Sequence, residues 1–308
     1  MSGTRREFLT HSALALSAVT LARFVPVAAS QRGGGPAAPA TPVFTPIRRN
    51  VGFFTARGGT IGYLAAADGV AVVDSQFPDT APLCLEGLNE RSGGDHVNVL
   101  INTHHHGDHT GGNIAFRDAT RRVIAHVTAA EHMKAPPGRP APTTENYYPT
   151  EIFMDVWTTA VADEVIRARH YGRAHTGGDA VVTFERANVV HMGDLMFNRR
   201  HPVVDRPAGA SLANWITVLE RTVADHEADT VYIFGHAGGD HPVTGSRADL
   251  DLMRDYLTEL LEHVRTEQQA GRSREQALGV TAPLAGFEEH GPLNPTILGA
   301  AWDELAAG

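Results

Sequence analysis

The chain has 308 residues, of which 42% are apolar and 20% are charged, and its formal net charge is −9. These values fit one large soluble domain with a tail, and the acidic balance argues against binding of nucleic acid or of an anionic membrane surface. The single cysteine, Cys84, excludes an intramolecular disulfide, and its apolar helical setting favours a buried, unreactive thiol.

The first residues have the composition of an export signal. Arg5 and Arg6 precede an apolar run over residues 13–21, and small residues follow it. This pattern resembles a twin-arginine signal peptide, which implies removal of residues 1–29 and a periplasmic or secreted protein without membrane contact afterwards. An uncleaved anchor is the alternative, although the apolar run is shorter than the roughly 20 residues that span a bilayer.

Residues 30–42 are rich in Gly, Pro and Ala and predict a disordered linker before one domain over residues 43–308. Up to Asp74, apolar and polar residues alternate between glycine turns, which predicts several short strands. Further strands and helices follow, as judged from apolar periodicity. They are a helix over 79–92, a strand over 97–103, a helix beginning within 109–118 and a strand over 122–127.

Residues 135–150 are too rich in proline for regular structure and predict either a loop over a site or a plain surface loop. The second half then repeats the theme of strands and helices. Its predicted elements are a hairpin over 180–194, a helix over 210–226, a strand over 230–236 and a long helix over 246–269 capped by Ser246. Two similar halves of this kind predict an α/β fold in which two sheets pack face to face with helices outside.

Four histidines and one aspartate crowd into the stretch "THHHGDHTGG", directly after an apolar strand. His104 and His106 are two residues apart, so in extended chain their side chains point the same way. Gly107 permits a sharp turn that brings Asp108 and His109 close to them. Imidazole and carboxylate are ligands of zinc, so the spacing predicts a metal site.

One such cluster cannot fill two coordination shells, and three further candidate ligands follow apolar strands near glycines. They are His175 in "GRAHTGGD", Asp194 in "HMGDLMF" and His236 in "FGHAGG". Ends of strands are where open α/β sheets place ligands. The sequence therefore offers enough donors for more than one metal ion.

These motifs together resemble the metallo-β-lactamase fold superfamily. "THHHGDHTGG" is similar to its H-x-H-x-D-H signature, "AHTGGD", "GDLMF" and "GH" to its later motifs, and "VVDS", with Asp74, to its first. The resemblance covers roughly residues 45–240. It implies an αββα sandwich of two mixed sheets flanked by helices, with a metal site at one edge of the sheets.

The resemblance also implies a role for each motif residue. His104, His106 and His175 would hold one metal, Asp108, His109 and His236 a second, and Asp194 would bridge them. His105 should point away from the metals, and Asp74 should orient a ligand imidazole. The expected cofactor is two zinc ions per chain, although the ligand set leaves iron and manganese open.

Two metals roughly 3.5–4 Å apart can generate a bridging hydroxide at neutral pH and polarise a carbonyl. Asp108 would be the catalytic residue that orients the hydroxide and carries its proton. The expected function is an exported zinc hydrolase of a small-molecule β-lactam, lactone or other ester. An aspartate at the position of Asp194 is more similar to the thioesterases, lactonases and phosphodiesterases of the family than to its β-lactamases. Many of those β-lactamases have Cys or Ser at this position.

Several alternatives stay open. An iron-dependent oxygenase of the same fold or a phosphodiesterase would use similar ligands, whereas a non-catalytic binding protein would usually have lost some of them. A substrate carboxylate could meet Arg199, Arg200 or His201, or these could form a solvated turn. Tyr147 and Tyr148 could line the opening, and Trp215 is expected in the core. The sequence leaves the oligomeric state open.

Overall fold

Two mixed β-sheets pack face to face, with helices on both outer faces, in a computed structural model that describes residues 41–307. The predicted αββα architecture is thereby confirmed. The predicted export signal (1–29) lies outside the described residues, and so does nearly all of the predicted linker (30–42). No helix among the described residues is long and apolar enough to span a membrane.

The first sheet contains seven strands in sequence order, of which the first four are antiparallel and the last four, sharing β4, are parallel. The strands are β1 (Val43–Arg48), β2 (Val51–Thr55), β3 (Ile61–Ala66), β4 (Gly69–Val73), β5 (Val99–Asn102), β6 (Val123–His126) and β7 (Glu151–Phe153). The helices of this half are α1 (Ala81–Ser92), the short α2 (Gly107–Thr110) and α3 (Val127–Lys134), and a 3-10 turn covers 111–116.

The second half of the chain supplies eight strands and four helices. The strands are β8 (Val156–Val161), β9 (Glu164–Arg169), β10 (Val181–Phe184), β11 (Val189–His191), β12 (Phe197–Asn198), β13 (Val231–Ile233), β14 (His236–Ala237) and β15 (Thr244–Gly245). Six of them form a sheet in the order β15-β13-β11-β10-β9-β8, while β12 and β14 pair separately. The helices are α4 (Leu212–Ala224), α5 (Arg247–Gln269), α6 (Arg274–Leu278) and α7 (Pro295–Leu305).

Alternation of side chains along the strands creates the layers. In β4, Ala71 and Val73 belong to the apolar cluster between the two sheets, while Val70 and Val72 belong to the cluster that includes residues of α1. Because both faces are covered, the strand reads as a continuous apolar run. A third cluster lies between the second sheet and helices α4, α5 and α7.

Two residues expected in the core are there. Trp215 is fully buried in the third cluster, and its indole N–H donates to the carbonyl of Leu195 over 3.0 Å. Cys84 is fully buried on α1, and burial raises the pKa of its thiol. The thiol is therefore protonated and sequestered, as its sequence setting predicted.

Some element boundaries differ from those predicted. Helix α1 begins at Ala81 rather than residue 79, which places Pro82 in the first turn, where proline is favourable. The strand predicted to end at His236 stops at Ile233. His236 instead begins β14, where it pairs with Phe197 of β12. The long helix does carry the predicted Ser246 cap, completed by Asp249 as a capping box.

Candidate metal centre

The loop after β5 is fixed by one buried carboxylate. Asp74 accepts hydrogen bonds from Thr103 N (2.8 Å), Thr103 Oγ1 (2.7 Å) and His109 Nδ1 (2.7 Å). Its φ of +65° lies in the left-handed region, which aspartate tolerates better than most residues. Asp74 therefore joins the end of β4 to both ends of the histidine cluster.

Three histidines form one side of the centre, here called the three-histidine half: His104, His106 and His175. Their donor atoms lie within 4.8 Å of one another and of a carboxylate oxygen of Asp194. His106 Nδ1 is 2.9 Å from His175 Nε2, and Asp194 Oδ2 is 3.5 Å from His175 Nε2 and 3.9 Å from His104 Nε2. His104 and His175 are almost fully buried.

Asp108, His109 and His236 form the other side, here called the aspartate half, and their donor atoms also lie within 4.8 Å of one another. His236 Nε2 is 3.1 Å from Asp108 Oδ2 and 3.4 Å from His109 Nε2. Asp194 Oδ1 reaches this half as well, at 2.9 Å from His109 Nε2 and 3.4 Å from His236 Nε2. The two oxygens of Asp194 thus face different halves.

Two glycines let the backbone approach these groups. A Cβ on Gly59 would lie 2.2 Å from His109 Cε1, and one on Gly235 would lie 2.1 Å from Asp194 Oδ1. Any larger residue would displace a candidate ligand. The strand-end glycines noted in the sequence therefore have a steric role.

The donor set fits a pair of divalent ions. Ligands bound to a tetrahedral ion at about 2.0–2.2 Å lie about 3.4 Å apart, close to the donor separations in each half. His104 Nε2 is buried without a hydrogen-bond partner among the described residues. Such groups are costly to bury unless something binds them.

Hydrogen bonds also select which nitrogen of each imidazole is free. The nitrogen turned away from the centre is bonded in four of the histidines: His104 Nδ1 to Thr103, His106 Nε2 to Asp205, His109 Nδ1 to Asp74 and His175 Nδ1 to the Val203 carbonyl. A hydrogen bond at the nitrogen that does not face the metal fixes the tautomer of a ligating imidazole. The other nitrogen of each ring therefore faces the centre, where its lone pair is available to an ion once any proton on it has left.

The electrostatics of the two halves differ. Burial lowers the pKa of His175, and burial together with neighbouring imidazoles holds that of His104 well below its usual value. In the aspartate half, burial opposes protonation, but neighbouring carboxylates outweigh it. Asp194 and Asp108 raise the pKa of His236 to about 9. Asp194 and Asp74 raise the pKa of His109 well above its usual value. His104 and His175 are therefore neutral at pH 7, whereas His109 and His236 hold protons where an ion would bind.

The carboxylates in the centre are ionised at neutral pH. Burial alone would raise the pKa of Asp194, but His109 and His236 hold it well below its usual range. Burial likewise opposes ionisation of Asp108, yet hydrogen bonding by His236 lowers its pKa to about 2. Both are thus ready to act as ligands.

The structure brings all seven predicted ligands together, and their binding of metal stays a prediction. Asp205 and the carbonyl of Val203, which orient His106 and His175, were not foreseen from the sequence. The available signal was a repeat of "VVD": Val-Val precedes Asp74 in "VVDS" and Asp205 in "VVDRP". Each of these two aspartates accepts a hydrogen bond from a different candidate ligand.

His105 turns away from the centre, as predicted. Its Nε2 lies 3.6 Å from Asp205 Oδ2, and its ring meets that of His132 edge-on at 5.1 Å. A cavity of about 230 Å³ lies beside it, walled by His105, His106 and the proline-rich loop 135–146 with Arg139. That loop therefore borders the site, although Tyr147 packs inward and donates to the carbonyl of Thr120.

The basic turn after Asp194 has two structural members and one at the surface. Arg199 is paired with Asp249 at 2.8 Å and with Glu289 at 3.3 Å. His201 bonds Tyr256 and the carbonyl of Pro292. Arg200 is exposed and lies 5.9 Å from the ring of Phe197, which itself stacks on His236.

Residues 54–261 match the metallo-beta-lactamase superfamily, so the chain belongs to that family, whose members are mostly metal-dependent hydrolases. The resemblance drawn from the motifs is thereby confirmed. A comparison with curated protein sequences finds no match.

Solved structures share the fold at low identity. The sec-alkylsulfatase Pisa1 from Pseudomonas sp. is 15% identical, with a TM-score of 0.63, and the alignment covers 85% of this chain and 50% of that protein. A double mutant of this sulfatase gives a TM-score of 0.66 at 14% identity, over 86% and 50%. A metallo-beta-lactamase from Pontibacter korlensis is 18% identical, with a TM-score of 0.58, over 71% and 99%. The chain thus spans half the length of the sulfatase.

Proposed function

We propose that this chain is an exported dinuclear zinc hydrolase that acts on a small-molecule carbonyl or ester substrate, namely a β-lactam, a lactone or another ester. The observation that carries the proposal is the position of Asp194, whose two oxygens face two separate sets of nitrogen and oxygen donors. When bound, two zinc ions supply Lewis acidity and an activated water at neutral pH.

The protein side chains divide the remaining work. Asp108 is 28% exposed and ionised, so it is the candidate to orient the attacking water and to pass its proton to the leaving group. His236 and His106 are also partly exposed, at 12% and 13%, whereas the other histidines are buried. The substrate therefore approaches from the side of these three residues.

Two guanidinium groups favour a substrate that carries a negative charge. Arg200 lies above Phe197 beside His236, and Arg139 lines the cavity beside His106. Neither forms an ion pair with another residue in the range 41–307. Arginine recognises carboxylate, sulfate and phosphate through paired hydrogen bonds.

Hydrolysis of a sulfate ester is a second candidate. It is supported by the extent of the alignment with the alkylsulfatase, which covers 86% of this chain against 71% for the lactamase. At 14% identity this likeness is one of fold, so the substrate has to be found by assay.

The test is a substrate panel on the metal-loaded protein, with metal content measured after purification without added metal. The panel contains a chromogenic cephalosporin, a lactone, a carboxylate-bearing aryl ester with its neutral analogue, a phosphodiester and a secondary alkyl sulfate. Turnover of a lactam, lactone or ester that is lost in His106→Ala and after chelation supports the proposal. Turnover of the sulfate or phosphodiester alone, or iron in place of zinc, contradicts it.

Export has a separate test. Expression of the full chain should give a shortened protein in the periplasm or medium, and Arg5→Lys with Arg6→Lys should abolish its appearance there. A full-length protein that stays in the cytoplasm in both cases would contradict export and leave the hydrolase proposal intact.

A further inference from the structure

The C-terminal helix α7 lies beyond the part of the chain that matches the family, which ends at residue 261. It is nevertheless part of the core, because Ile297, Leu298 and Ala301 pack in the same cluster as Trp215. Asn294 caps its start through the N–H groups of residues 296 and 297, and Pro295 occupies its first turn. This anchoring gives the end of the helix a defined position.

Glu304, in the last turn of α7, turns its carboxylate into the protein, where its side chain is 12% exposed. It accepts a hydrogen bond from Arg206 Nη1 at 2.9 Å and one from Ser211 Oγ at 2.9 Å. It also accepts from the backbone N–H groups of Leu212 (2.7 Å) and Ala213 (2.9 Å). A carboxylate from one helix thus caps the start of α4, where unpaired N–H groups attract negative charge.

The segment held by Glu304 is the one that orients the three-histidine half. Within it, Asp205 accepts from His106 Nε2 at 2.9 Å, and the carbonyl of Val203 accepts from His175 Nδ1 at 2.7 Å. Backbone hydrogen bonds join the segment to the loop of His175, from Asp205 N to His175 O, Gly177 N to Ala208 O and Ser211 N to Ala174 O. Glu304 therefore binds this segment at two places, the side chain of Arg206 and the start of α4.

The aspartate half is supported from elsewhere. His109 is held by Asp74, which ends β4, and its ring lies against Gly59 in the first sheet. Among the hydrogen bonds of residues 41–307, none joins α7 to Asp74, Asp108 or His109. A change at Glu304 therefore reaches one half of the centre only.

We propose that Glu304 is a positioning residue that sets the metal affinity of the three-histidine half by holding segment 203–211 against His106 and His175. The proposal rests on the dinuclear centre proposed above. It assigns the C-terminal helix, which the family match does not include, a specific role at that centre.

The experiment compares Glu304→Gln and Glu304→Ala with the matched control Asp303→Asn. Asp303 is the neighbouring residue on α7, and its side chain forms a half-exposed ion pair with Arg274. Its one contact with segment 203–211 is through its backbone carbonyl, which accepts from Arg206 at 3.5 Å and which the substitution keeps. Loading with cadmium-113 should give one NMR resonance for each half of the centre, and chelator competition measures the affinity of each.

We expect Glu304→Ala to weaken metal binding in the three-histidine half by about tenfold, at the lower end of the effect of outer-shell partners. The resonance of that half should shift, and Glu304→Gln, which keeps one acceptor oxygen, should show a smaller change. The Asp303→Asn control should leave the two resonances in place.

Equal weakening of both halves, unchanged resonances in Glu304→Ala, or an equal shift in Asp303→Asn would overturn the role of Glu304. Failure of the unaltered protein to take up two cadmium ions would overturn the dinuclear centre and this inference with it. Two bound ions with no response to Glu304 would overturn this inference alone.

Discussion

The two halves of the candidate centre use the same residue types in different electrostatic settings. In the three-histidine half, His104 and His175 are buried and have lowered pKa values, and Asp194 is the one carboxylate among the predicted ligands of this half. The aspartate half adds Asp108 and the outer carboxylate Asp74, and its histidines have raised pKa values. His104 and His175 are therefore ready to bind a cation at neutral pH, while His109 and His236 must first lose protons.

The halves also differ in what holds them. Asp74 and the first sheet hold His109, whereas a segment from the second half of the chain holds His106 and His175. Asp194 faces both halves, so a substitution of this residue should affect both halves at once.

Replacement of Asp194 by alanine should have the largest effect. Both halves lose a ligand, so metal content should fall from two ions per chain to one or none, and turnover by on the order of 10²–10³-fold or more. Metal analysis and steady-state kinetics check this. Asp194→Asn, which keeps the shape and one acceptor oxygen, is the control and should retain more metal. Two tightly bound ions in Asp194→Ala would show that it does not bridge the halves.

The outer carboxylates allow a finer comparison. Asp205→Asn should weaken the three-histidine half by about 10–100-fold, because a neutral amide is a weaker acceptor for His106 Nε2 than the carboxylate that orients it. Asp74→Asn should weaken the aspartate half by a similar factor and also disturb the other half, since Asp74 holds Thr103 beside His104. Chelator competition at each half measures these effects. If both variants lowered the metal affinities of the two halves by the same factors, the assignment of separate supports to the two halves would be contradicted.

The smallest effect expected is one of pH. His236 has a pKa of about 9 without metal, against an ordinary value of 6.5, so at pH 7 it is protonated and a metal ion must displace that proton. Affinity of the aspartate half should therefore rise with pH up to about 9. In the three-histidine half the lowered pKa values of His104 and His175 leave these two ligands neutral above pH 6.5, so they should add no such dependence. Calorimetry in two buffers of different ionisation enthalpy counts the protons released.

The same raised pKa predicts a trend in the metal-free protein. The stability contributed by protonated His236 is fully present below pH 6.5 and is lost as pH rises through about 9. Thermal unfolding with chelator present should show this loss, and His236→Gln should remove it. A metal-free protein whose stability rises between pH 7 and 9 would contradict the assignment.

The sequence by itself determined the layered fold and the candidate ligands. Apolar runs such as "GVAVV" fix buried strands, and the ligands follow strand ends within a few residues, so local spacing carries the information. The need for glycine at positions 59 and 235 is visible only in the tertiary structure, because the side-chain atoms packed against Gly59 and Gly235 come from distant segments.

Tertiary structure decided everything that depends on contacts between remote parts of the chain. Asp205 meets His106 across 99 positions, and Glu304 meets Arg206 across 98. It also decided that Arg199 pairs inward with Asp249 while its neighbour Arg200 stays at the surface. No local pattern encodes these pairings, since hydrogen bonds of this kind depend on which segments the packed sheets and helices bring side by side.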